Sequence, residues 1–125
     1  MDTDNIAVNV GALSNATRPM FHAPSPGNGG GLTVVSADVA MAGTTAASLE
    51  LVKGVTSGGT LTINGTIAAA IGGTASLWVA NVVKSFTPSG TAVFVQANEW
   101  VAVKEKNVQA CDAVTLVSVG YQDGR

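Results

Sequence analysis

Nucleophilic catalysis needs an attacking group, a base beside it and a third group to hold the base, and this chain is short of all three. It carries one histidine, His22, and one cysteine, Cys111. His22 lies in the stretch Arg18–Gly31, dense in proline and glycine, where nothing holds a general base in fixed geometry. No cluster of His, Asp or Asn lies near Cys111, which reads as a small buried hydrophobe. One His and one Cys do not supply the three or four ligands of a zinc or other transition-metal site. Paired carboxylates for glycoside hydrolysis would come from Asp38, Glu50, Glu99, Glu105 and Asp112. Of these, Asp38 and Glu50 fall on outward faces of the expected strands, where water solvates them. Asn98-Glu99 and Asp112 do not form the spaced oxygen loop of a calcium site. Gly27-Asn28-Gly29-Gly30-Gly31 lacks the Gly-Lys-Ser/Thr ending of a phosphate loop, with no strand before it or helix after it. The expectation is a protein that is not an enzyme, with no catalytic residue, no metal ligand and no cofactor.

The aromatic residues point elsewhere. The inventory is Phe21, Trp78, Phe86, Phe94, Trp100 and Tyr121. Trp78 and Phe94 are expected in the core. Trp100, at a strand start beside Glu99, is either a rim residue covering a sheet edge or an anchor for a partner. Met20 and Phe21 are anchors inside the proline-rich stretch. With His22, either exposed to solvent or a packing contact for a neighbour, these give the candidate protein-interface set Met20, Phe21, His22 and Trp100.

The elements that would position these groups are strands. Alternation marks Leu32–Met41, with Thr33, Val35, Ala37, Val39 and Met41 on one face and Val34, Ser36, Asp38 and Ala40 on the other. Gly43-Thr44-Thr45 is a turn, and a second strand ends at Lys53-Gly54, a short helix over Ala46–Lys53 being the alternative. Thr60–Ala69 reads either as a hairpin on Asn64-Gly65 or as one irregular strand through Gly65, and Ile67–Ile71 also fits a helical turn. Ser76–Val83 is apolar on both faces and reads as a covered strand. Thr91–Gln96, Trp100–Glu105 and Ala113–Tyr121 follow, with Val101 and Val103 inward and Val114, Leu116 and Ser118 opposite Thr115, Val117, Val119 and Tyr121. Val- and Thr-rich strands with Gly-rich turns give an all-β sandwich or barrel. Residues 1–31 read as an extended N-terminal arm, with a disordered tail as the alternative, and 32–125 as the β-sandwich domain.

Charge narrows the function. Only 11% of the 125 residues are charged, against roughly 25% in an ordinary soluble domain. From Gly54 to Val83, between Lys53 and Lys84, there is no charge. The net charge of -2 does not favour nucleic acid or anionic lipid as a partner. Met1–Asn5 is acidic and lacks the basic and apolar regions of a signal peptide. No window of about 20 residues is apolar enough to span a bilayer; Ile67–Ala80 comes nearest and is broken by Gly72, Gly73, Thr74 and Ser76. A surface so poor in charge is expected to be largely contact surface.

The runs Ser76–Ala80, Phe86-Thr87, Ala97–Val103, Val114–Gln122 and, after a proline-rich lead, Gly31–Ala37 together resemble the small decoration, or cement, proteins of tailed-bacteriophage capsids, over about residues 20–125. The resemblance implies a jelly-roll-like antiparallel β-sandwich and a non-enzymatic protein that binds the outside of an expanded capsid, with the major capsid protein as partner and a homotrimer as the favoured oligomer. It also implies a place on the virion surface after synthesis in the host cytoplasm, and an arm, here 1–31, that reaches a shell subunit or a neighbouring copy. A head-fibre, tail or baseplate module and a carbohydrate-binding sandwich with Trp100 or Tyr121 as its platform are the competing readings.

Overall fold

The computed structural model describes residues 3–14, 17–23, 30–41, 48–72, 82–106 and 110–124, apart from the side chains at 11–14, 72 and 110–115. The turn at 43–45, Trp78, the Asp112 carboxylate, the Cys111 thiol and all of the expected strand Ser76–Val83 except its last two residues lie outside that description.

Among the described residues ten strands are formed: β1 (Asp4–Val8), β2 (Gly11–Ser14), β3 (Thr17–His22), β4 (Leu32–Met41), β5 (Ser48–Ser57), β6 (Thr60–Gly72), β7 (Val83–Phe86), β8 (Phe94–Val95), β9 (Trp100–Glu105) and β10 (Ala110–Asp123). They build two antiparallel sheets. One has the order β1-β10-β4-β7, with β2 also on β10 and β8 also on β4; the other has the order β3-β9-β5-β6. Apart from the hairpin β5–β6, each successive main strand crosses to the opposite sheet. Counting β1 with β2 and β7 with β8, this is the connectivity of an eight-stranded jelly roll. The all-β sandwich read from alternation is what the chain forms.

Val, Leu and Ile fill the space between the sheets because each strand turns every second side chain inward. Leu32, Val34, Val39, Leu49, Leu51, Ile67, Val101, Val103, Val117 and Val119 are buried there. Each contributes about 1.5–3 kcal/mol relative to exposure. Phe21 of one sheet meets Tyr121 of the other, with ring centroids 6.3 Å apart, and so closes one flank. Burial, then the negative charges of Asp4 and Asp123, push the Tyr121 hydroxyl above its ordinary value.

Three local expectations change. Residues 1–31 were expected as an arm; their described part contributes strands to both sheets, β1 and β2 on β10 and β3 on β9. Pro19 is tolerated in β3 because β3 is an edge strand with a bulge at Met20. Strict alternation placed Val35 inside, but the register slips between the Gly120–Ser36 and Tyr121–Val34 pairs. That bulge turns Val35 outward, to 43% exposure. Thr91–Gln96 does not form one strand: Thr91–Val93 is a 3-10 turn, and only Phe94–Val95 pairs. Of the alternatives held open, β6 runs unbroken through Asn64-Gly65, and its hairpin with β5 turns at Gly58-Gly59, both at positive φ. Ala46–Lys53 and Ile67–Ile71 are not helical where described.

Gly54 is required by a close approach. A Cβ there would lie 2.2 Å from the Thr62 carbonyl oxygen, a backbone atom that cannot swing aside. Gly54→Ala is expected to pry β6 from β5 and cost about 1–3 kcal/mol, read as a lower urea midpoint. An unchanged midpoint would show that the bulge between Lys53 and Gly54 absorbs the methyl.

Candidate functional site

Asp38, Glu50, Glu99 and Glu105 are dispersed, each with its own partner. Asp38 lies on the outer face of the β1-β10-β4-β7 sheet and accepts a hydrogen bond from the Ser85 hydroxyl at 2.6 Å. Glu50 lies on the outer face of the other sheet and is buried, not solvated as expected, 3.8 Å from Lys104. Glu105 is 1% exposed and accepts from the Ser48 amide at 2.7 Å.

Glu99 is the most elaborately held. Its carboxylate lies 2.9 Å from Lys53 Nζ, and both side chains are nearly buried. The same oxygen accepts from the Gln96 amide at 2.8 Å, while Lys53 also donates to the Phe94 carbonyl at 3.1 Å. Burial pushes the Glu99 carboxyl up, but hydrogen bonds from Lys53, the Gln96 amide and Asn64, with the Lys53 charge, outweigh it and hold the group below its ordinary 4.5. This cluster clamps the 94–99 loop onto β5. The loop in turn holds the end of β3, since the Ala23 amide donates to the Glu99 carbonyl at 2.9 Å.

Among the described residues, no three His, Cys, Asp or Glu side chains gather as a metal set, and no helix is long and apolar enough to cross a membrane.

The four candidate interface residues divide. Met20 and Phe21 pack against the chain's own core. Both are half-buried, so each keeps part of its side chain open to solvent. His22 is exposed and meets the half-buried Trp100 edge-to-face, with centroids 5.1 Å apart, across the β3–β9 pairing.

A different surface gathers what sequence reading did not single out. On the outer face of the β1-β10-β4-β7 sheet, a groove of about 170 Å³ is lined by Asp38, Val39, Ala40, Val83, Leu116 and Ser118. Val83 is 60% exposed and Leu116 45% exposed, and Val82 beside them is exposed as well. Val82 and Val83 close the stretch expected to be covered on both sides; both are exposed, and among the described residues no strand pairs beyond β7. For Leu116 the signal was present, since alternation set it opposite Val117 and Val119. Only the pairing of β4 with both β10 and β7 brings Ala40, Leu116 and Val83 side by side. The arrangement offers apolar contact rimmed by a carboxylate and hydroxyls, which fits docking of a protein surface.

No family model matches the chain, and neither a curated protein nor a solved structure matches it.

Proposed function

We propose that this chain is a non-enzymatic structural protein of a bacteriophage virion that binds the outer surface of the capsid and stabilises it as a decoration protein. The observation that carries the reading is the groove between β4, β7 and β10, where Val83 and Leu116 remain open to solvent. An isolated soluble domain gains nothing from leaving large aliphatic groups clustered on a sheet face, whereas a subunit that docks on a shell buries them. The jelly-roll connectivity and the scarcity of charge are compatible with this role, although a fold alone does not assign one. Many weak copies on a repeating lattice hold together what one copy does not.

Leu116→Lys and Val83→Lys are expected to weaken co-sedimentation with empty shells of the parent phage by at least about tenfold, roughly 1.4 kcal/mol, with thermal stability nearly unchanged. Undiminished binding by both folded variants would remove the groove from the interface. A glycan array read with Trp100→Ala separates the carbohydrate-binding alternative, which His22 against Trp100 keeps in view.

A further inference from the structure

We propose that the groove between β4, β7 and β10 takes an arginine side chain of the shell protein, its alkyl stem on Ala40, Val83 and Leu116 and its guanidinium on the Asp38 carboxylate, a contact that rests on the shell-docking role and names the group the groove receives. The pairing of β4 with β7 sets Asp38 opposite Ser85 and Ala40 opposite Val83, and its pairing with β10 sets Asp38 opposite Ser118 and Ala40 opposite Leu116. The outer face therefore carries two rows about 7 Å apart. Ser118, Asp38 and Ser85 form a polar row, and Leu116, Ala40 and Val83 an apolar one. The groove of about 170 Å³ runs over both rows. That volume is well below the roughly 300–1,000 Å³ of a small-molecule pocket, and it suits one inserted side chain with an apolar stem and a polar head.

Asp38 selects the occupant. Its Oδ1 accepts from the Ser85 hydroxyl at 2.6 Å, a neutral donor that leaves the charge uncompensated. Among the described residues no lysine or arginine pairs with it. Lys84 adjoins Ser85 in sequence, but alternation directs it to the face of its register partner Val39, whose side chain is buried in the core. In the free chain water solvates the half-exposed carboxylate. A partner that covers Val83 and Leu116 displaces that water, and a carboxylate left without a cation then opposes docking. An aliphatic side chain would fill the apolar row and strand Asp38 in this way. Arginine meets both demands. Its stem covers apolar surface, its planar fork donates two N–H groups to one carboxylate, and it is more weakly hydrated than lysine. Arginine is also enriched at protein interfaces, where lysine is depleted.

The test is co-sedimentation of the full chain with empty shells of the parent phage, either untreated, with their arginines blocked by phenylglyoxal, or with their lysines acetylated. The wild type is expected to bind arginine-blocked shells about tenfold more weakly or worse, and lysine-acetylated shells nearly as well as untreated ones. Asp38→Asn keeps an acceptor for Ser85 but removes the charge. It should bind untreated shells about tenfold more weakly and lose little more when the arginines are blocked, because both changes remove the same contact. If thermal melting shows that variant unfolded, Asp38→Ser takes its place. Asp38→Asn binding as tightly as the wild type, an equal further loss for both chains on arginine-blocked shells, or a loss confined to acetylated shells overturns the arginine contact. Leu116→Lys separates the two ways of failing. If it weakens shell binding and Asp38→Asn does not, the docking role stands and the groove holds an aliphatic anchor. A wild type that ignores every shell refutes the docking role as well.

Discussion

A chain lacking residues 1–22 is expected not to fold. The deletion removes β1, β2 and β3, leaving β10 without its neighbours on one side and β9 without its edge partner. It takes with it the buried Val10 and the packing of Val8, Met20 and Phe21 on the core. A fully buried side chain of this size is worth about 1.5–3 kcal/mol, so even partial burial of four approaches the whole stability of a small domain, about 5–15 kcal/mol. The newly bared β9 and β10 edges would also invite aggregation. Circular dichroism of the truncated chain should show no cooperative thermal transition. A cooperative melt within a few degrees of the full chain would mean that these strands are an appendage and that the sandwich begins near Leu32.

Lys53→Ala is the point substitution with the largest expected cost. It strips a nearly buried Glu99 of its cation and leaves the Phe94 carbonyl without that donor. Removing one member of a buried pair typically costs about 3–5 kcal/mol, because the remaining charge has neither water nor a counterion. Replacing both members, as Lys53→Met with Glu99→Leu, should cost clearly less, since no charge is stranded. Equilibrium urea unfolding at neutral pH measures both; a loss under about 1 kcal/mol for Lys53→Ala would place the pair among the solvent-screened ones.

The pH dependence follows from the same cluster. The folded-state value of Glu99 lies below its ordinary 4.5, so the folded protein favours the carboxylate more than the unfolded chain does. Its contribution is fully present above the ordinary value and drains away as pH falls through the lower folded value. Urea unfolding from neutral to acid pH should therefore fall more steeply for the wild type than for Lys53→Ala. Equal slopes would show that the pair is not what depresses the Glu99 carboxyl.

Much of the fold is legible in the sequence because strand alternation is a local property. Val101 and Val103 inward in β9, and Val117 and Val119 opposite Leu116 in β10, follow from a period of two residues imposed by each residue's own backbone. The scarcity of charge is equally local, and it already directs attention to contact surfaces. What alternation does not carry is register and partnership. A bulge opposite the Gly120–Tyr121 step moves Val35 from the inner face to the outer one, and nothing in residues 32–41 announces it. Glu99 and Lys53 stand 46 positions apart and become a buried pair only when β9 packs beside β5. The groove is the same case, since Ala40, Val83 and Leu116 come from three strands brought together by the sheet. Local residue pattern is enough to specify an all-β chain with a thin aliphatic core and a surface poor in charge. Which apolar residues are left outside depends on the packed sheets, because burial follows from which strands become neighbours and which become edges.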